Sequence, residues 1–162
     1  WEKGYVPVVF ETAEGVKFST PICFEDVYGY LTSGFVRNGA DVIVNMTNDS
    51  WSGAVSAEMQ HFAMAVYRSI ETRKSTIRGT NSGITALILP TGRFVDPIEP
   101  FTKAWHIYDV PVYTHTDWTF YTAYDDLPLK YLTYGVVVLL VFGAVRSVLG
   151  WKKSRGKVVD KS

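Results

Sequence analysis

The sequence has a single cysteine, Cys23, so no disulfide can form within the chain, and cysteine usage does not report the compartment. Its three histidines, His61, His106 and His115, lack metal-ligand spacing, and neither a metal nor a cofactor is expected. There is no glycine-rich phosphate loop and no low-complexity tract. Net charge is missing too, sixteen Lys and Arg against sixteen Asp and Glu, but the balance hides an asymmetry. Six bases and one acid lie from Arg146 onward, which leaves residues 1–145 with ten bases and fifteen acids. A mildly acidic body with a basic tail presents no basic face, so nucleic acid is not an expected partner. The chain begins at Trp1 with no signal-like segment, and its first residues read as the middle of a domain. The expectation is a fragment whose N-terminal portion is missing. Aromatic residues, by contrast, are plentiful at 15%, which suits a membrane interface or a large apolar site.

Residues 16–26, V-K-F-S-T-P-I-C-F-E-D, run as a short apolar strand (16–22) that delivers Cys23, then Glu25 and Asp26, to a helix-like segment. A nucleophile at the end of a strand, just before a helix, is raised out of the sheet edge, and neighbouring backbone N–H groups point at any oxyanion that forms. Cys23 therefore reads as a catalytic thiol; the alternative is a small buried hydrophobe. Upstream, residues 5–10 form an edge strand or approach segment because of Pro7, and Glu14-Gly15 turns the chain into a hairpin. Residues 27–38 suit a helix ending at Asn38-Gly39, and residues 41–46 suit a buried strand, which completes a parallel β-α-β unit.

The loop T-N-D-S-W-S-G (47–53) lies at the carboxyl end of its strand, as Cys23 does of its own. That edge carries the ligand in open α/β sheets, so Phe24, Glu25, Asn48, Asp49 and Trp51 are expected to shape the site around Cys23. In the helix expected over 57–74, Met59, Phe62, Ala63, Val66 and Ile70 form an apolar stripe. His61 lies off that stripe as a site-shaping or structural donor, and Arg68 and Arg73 are solvated or paired with Glu71. Residues 75–78 suggest a short strand and 79–83 a loop. Residues 84–89 and 93–95 make a hairpin, and 105–110 read as one more edge strand.

Residues 131–145 are almost wholly apolar, and the run resumes beyond Arg146, which can snorkel. The resulting 130–151 segment is long enough for the roughly 20 residues that a bilayer needs. Trp118, Tyr121, Tyr124, Tyr131 and Trp151 fall near its two ends as aromatic belts. The alternative is a buried core helix, but the run is Val-rich, lacks polar spacing and ends in K-K-S-R-G-K. The positive-inside rule puts that tail in the cytoplasm and the body outside the inner membrane. The expected organisation is an α/β enzyme portion over 1–126, a transmembrane helix over 127–151 and a basic tail over 152–162.

P-I-C-F-E-D (21–26), N-M-T-N-D-S-W-S-G (45–53), A-E-M-Q-H-F-A-M-A-V-Y-R-S-I-E-T-R (57–73) and R-G-T-N-S-G-I-T (78–85) follow one another in an order and spacing that resembles the carbon–nitrogen hydrolase (nitrilase) superfamily. With the terminal membrane helix, the pattern is similar to its lipoprotein N-acyltransferase branch over nearly the whole chain. The resemblance implies the C-terminal portion of an α-β-β-α sandwich with a Glu-Lys-Cys triad, followed by one transmembrane helix. It implies transfer of an acyl chain from a phospholipid donor, through a cysteine thioester, to the free amino group of a diacylglyceryl apolipoprotein acceptor at the membrane. Cys23 matches the nucleophile and Glu25 an orienting acid. The triad's Glu and Lys lie well upstream in the family, too far for Glu2 and Lys3 to be them, so the 162-residue piece alone is expected to be inactive. Phe24 stands where the family more often has Tyr, and Ser52 where Phe is expected. The alternative function is a nitrilase-type or amidase-type hydrolase of small amides with a membrane anchor.

Overall fold

Six short strands and four helices carry the chain in a computed structural model that describes residues 4, 6–114 and 117–159, with side chains only as far as Ser147. Glu2, Lys3 and His115, and the side chains of Trp151 and of the basic tail, lie outside the described residues. The strands are β1 (Phe10–Glu11), β2 (Lys17–Ser19), β3 (Val42–Asn48), β4 (Ser75–Asn81), β5 (Thr85–Ile88) and β6 (Phe94–Ile98). They form one sheet in chain order. Its centre, β2-β3-β4, is parallel, and the outer pairs are antiparallel. The parallel joins need crossovers, supplied by α1 (Gly29–Arg37) and α2 (Val55–Thr72). The chain thus has the mixed α/β architecture implied by the resemblance.

Side chains on a strand alternate between faces. On β3, Ile43, Asn45 and Thr47 are buried, while Met46 on the opposite face is 54% exposed. The covered face holds two apolar clusters. Phe62 and Ala65 of α2 pack with Ile84, Ala86 and Ile88, and Phe35 and Val36 of α1 pack with Ala40 and Ile43. Each large aliphatic or aromatic side chain buried this way contributes roughly 1.5–3 kcal/mol. Helix α1 stops at Asn38-Gly39, where Gly39 takes φ +102° and its N–H donates to the Val36 carbonyl at 2.9 Å. A short helix α3 (Phe120–Tyr124) is tied to α1 by Arg37, which donates to the Thr122 carbonyl at 2.6 Å and pairs with Asp125 at 2.8 Å.

Three expectations need correction. Strand β4 does not stop at Arg78, because Gly79, Thr80 and Asn81 continue the ladder opposite Met46, Thr47 and Asn48. Residues 105–110 form no strand; Trp105 and Ile107 are 81% and 78% exposed and pair with no neighbour in the sheet. Helix α2 buries only Phe62 of the stripe assigned to it, with Val66 packed beside it. Met59 is 50% exposed and Ala63 is exposed, whereas Glu58, His61, Phe62, Ala65, Arg68, Ser69 and Thr72 are buried. The physical reason lies in the polar partners this face meets, described below.

The chain divides into Trp1–Asp125 and a second unit, Asp126–Ser162. The second unit is dominated by α4 (Leu127–Val159), whose stretch Leu127–Ser147 is long and apolar enough to cross a membrane. Its 21 residues span about 31 Å at 1.5 Å per residue, close to a bilayer's hydrocarbon thickness. None of the stretch is buried by protein, unlike the core helix of a soluble fold.

Candidate active site

Beyond Ser19 the chain leaves β2, touches β3 once more through an Ile22–Met46 bridge, and enters a 3-10 turn, Cys23–Val27. Cys23 opens that turn with φ +53°, a left-handed conformation that costs a non-glycine residue roughly 1–3 kcal/mol. Two side chains hold it there. Asn45 donates to the Pro21 and Cys23 carbonyls, both at 3.2 Å, and the Ile22 N–H donates to Glu25 Oε2 at 2.8 Å. Cys23 itself is half-buried. Strained, anchored turns of this kind display a nucleophile.

Beneath the turn lies a closed ionic network. His61 on α2 places Nε2 2.8 Å from Asp26 Oδ1 and Nδ1 2.9 Å from Asp49 Oδ1. Each ring nitrogen thus faces a carboxylate oxygen, an arrangement that favours the imidazolium form of His61. Arg78 on β4, with none of its surface exposed, completes the ring. It donates to Asp26 Oδ2, to Asp49 Oδ2 at 2.9 Å and to Asn45 Oδ1 at 3.2 Å. Thr47 adds a 2.7 Å bond to Asp49 Oδ1. Two buried cations thus face two buried anions. Burial pulls the His61 pKa down, as does Arg78, but the Asp26 hydrogen bond and the charges of Asp26 and Asp49 outweigh both, and the result is raised above 6.5. All four carboxylate oxygens and both imidazole nitrogens are engaged within the network.

Of the residues singled out in the sequence, Phe24, Trp51, Asp49 and His61 come together around one cavity of about 220 Å³, also lined by Glu58 and Met64. Phe24 stacks on the His61 ring at 4.5 Å and meets Trp51 at 6.2 Å between centroids. Glu25 lies exposed beneath its own turn, outside this cavity. Asn48 organises the loop, accepting from the Ser50 N–H at 3.2 Å, the Ser50 hydroxyl at 2.6 Å and Asn81 Nδ2 at 3.2 Å. Arg68, read as solvated or paired with Glu71, is buried; it pairs with Glu71 at 2.7 Å and donates to the Val27 carbonyl.

Asp26, Asn45, Glu58 and Arg78 were not among the residues expected at the site. A signal for two of them was present: Asn45 interrupts the apolar run D-V-I-V-N-M, and Arg78 follows the β-rich S-T-I. The two are register partners across β3 and β4.

The carbon-nitrogen hydrolase family model matches residues 1–119. Apolipoprotein N-acyltransferase 1 of Treponema pallidum is 40% identical over 157 residues, 94% of this chain and 28% of that protein. The apolipoprotein N-acyltransferase of Borreliella burgdorferi is 38% identical over 125 residues, 77% of this chain and 23% of that protein. The chain therefore spans about a quarter of the length of the curated relatives it matches. Among solved structures, an amidase from Nesterenkonia sp. superposes with a TM-score of 0.50 at 14% identity, covering 60% of this chain and 39% of that one, a likeness of fold alone.

Proposed function

Since the chain belongs to the carbon–nitrogen hydrolase family, we propose that it is the nucleophile-bearing part of a membrane acyltransferase that N-acylates apolipoproteins. The observation that carries this reading is a strained thiol turn in a chain that also holds a membrane-length apolar helix. The relatives' names support the same activity. In the first half-reaction the Cys23 thiolate attacks an ester carbonyl of a phospholipid. A C–S bond forms, the ester C–O bond breaks, and the lysophospholipid leaves with a proton. In the second, the amino group of a diacylglyceryl-cysteine attacks the thioester, a C–N bond forms, the C–S bond breaks, and the proton lost by the amine regenerates the thiol. The Phe24 N–H, next to the nucleophile, is the oxyanion donor this chain offers. The general base and the lysine of the triad come from outside it.

In this reading Leu127–Ser147 spans the inner membrane, the body lies on the periplasmic side and the basic tail faces the cytoplasm. The small-amide hydrolase reading has only the shared fold in its favour. The test uses the full-length protein and a phospholipid with a labelled sn-1 acyl chain. A hydroxylamine-labile label on the Cys23 peptide, lost in Cys23→Ala, is the expected result. A Cys23→Ala enzyme that still transfers acyl groups refutes the assignment.

A further inference from the structure

Glu58 is the one buried carboxylate at this site that the ionic network does not use. It is 1% exposed, borders the 220 Å³ cavity, and pairs with no basic side chain among the described residues. The Ser52 hydroxyl donates to its Oε1 at 2.5 Å and accepts the Ala54 N–H at 3.3 Å, an arrangement that closes the start of α2. That cap accounts for Oε1 only. Oε2 has no hydrogen-bond partner, and leaving a buried acceptor of this kind unmet is costly. Gly83 packs closely against one side of it: a Cβ there would come within 3.2 Å of Oε2 and collide with Asp49 Oδ2, so only a side-chain-free residue fits beside this oxygen. The cavity's other walls include Phe24 and Trp51, with Phe24 stacked on His61, and the Asp49 carboxylate.

An unpaired carboxylate oxygen behind aromatic walls is the chemistry that holds an organic ammonium ion, by charge-assisted hydrogen bonding and cation–π attraction. We propose that the cavity between Phe24, Trp51 and Glu58 is a subsite for a primary alkylammonium group, with Glu58 as its counter-ion. Ser52 stands where the family resemblance calls for Phe, and its hydroxyl orients the carboxylate. Two sources of such a group fit: the amine of an ethanolamine phospholipid or the α-ammonium of the acceptor. Only the choice of source rests on the acyl-transfer reading.

The test places the full-length protein in phosphatidylglycerol nanodiscs and titrates it with n-butylammonium and with 1-butanol, following tryptophan fluorescence. The expected result is a butylammonium Kd at least about tenfold below that of butanol, with the preference abolished by Glu58→Gln. Trp51→Leu, at an exposed position that folding tolerates, weakens butylammonium binding by about threefold or more. No ammonium preference in the wild type, or one retained in Glu58→Gln, overturns the proposal; unchanged binding in Trp51→Leu removes the aromatic wall from it. Thioester labelling then separates the sources. Loss in Glu58→Gln confined to loading from phosphatidylethanolamine rather than phosphatidylglycerol assigns the headgroup, and loss confined to passage onto the amine assigns the acceptor. Loss in neither step overturns a role in the reaction. A wild type that prefers butylammonium but forms no thioester refutes the acyl-transfer reading and leaves the subsite standing.

Discussion

Replacing Asp26 with Asn tests whether the network beneath Cys23 is held by charge balance. Asp26 accepts from His61 on one oxygen and from Arg78 on the other. An amide can accept on only one side, so its NH2 group must face a donor from either the ring or the guanidinium. The exchange also leaves Arg78 and an imidazolium opposite Asp49 alone. Breaking a buried pair of this kind costs roughly 3–5 kcal/mol, because a buried charge is left uncompensated. His61 can relieve part of that by releasing its proton, which restores one cation to one anion, so the expected loss is nearer to about 3 kcal/mol. Hydrogen exchange reads this locally. Amides of Cys23–Val27 and of the first turns of α2 should exchange roughly a hundredfold faster, whereas those of β6, which pairs only with β5, should change far less. Arg78→Met should cost a similar amount. The two together should cost less than their sum, since His61 and Asp49 then remain as a balanced pair. A change in exchange below about fivefold for Asp26→Asn, or strict additivity in the double variant, refutes the charge-balance account.

The pH dependence follows from His61. Its pKa in the folded chain is raised above 6.5, so its stabilising contribution is complete below the unfolded value and is lost as pH rises through the folded one. Thermal stability of the full-length protein should therefore decline on the alkaline side of 6.5, and His61→Gln should flatten that decline; an unchanged slope counts against the imidazolium. Cys23→Gly should be more stable than Cys23→Ala by about 1 kcal/mol, because the φ of +53° strains every residue with a Cβ. Equal melting points for the two would show that the turn relaxes without its thiol. Gly83→Ala should destabilise the fold by about 1–3 kcal/mol by pushing its Cβ against Asp49 Oδ2, and a melting curve like the wild type's contradicts that crowding.

The order of elements was legible because it rests on signals that survive without tertiary partners. Apolar runs bounded by turn residues marked β3 and α2, Asn38-Gly39 marked the end of α1, and the long uncharged segment marked α4. The interior of the site was legible only in part, for a physical reason. Hydrophobic periodicity assumes that polar side chains face water, and on that assumption Glu58, His61 and Arg68 belong on the outer face of α2. They are buried instead, because two carboxylates, a backbone carbonyl and a serine hydroxyl from two other segments meet them. A helix of this kind has an apolar stripe that is half exposed, as at Met59, and a polar stripe that is sealed. No periodicity count distinguishes the two. What the sequence does carry is the oddity of Asn45 and Arg78 inside strands that should be apolar. Such residues are costly to bury unless most of their polar atoms find partners, so each implies others. Asn45 implies a backbone to brace, which proves to be the Cys23 turn, and Arg78 implies two carboxylates, which prove to be Asp26 and Asp49. Tracing partners from polar residues in apolar strands would have reached the network before any coordinates, and it explains why the thiol turn and the α2 histidine belong to one unit.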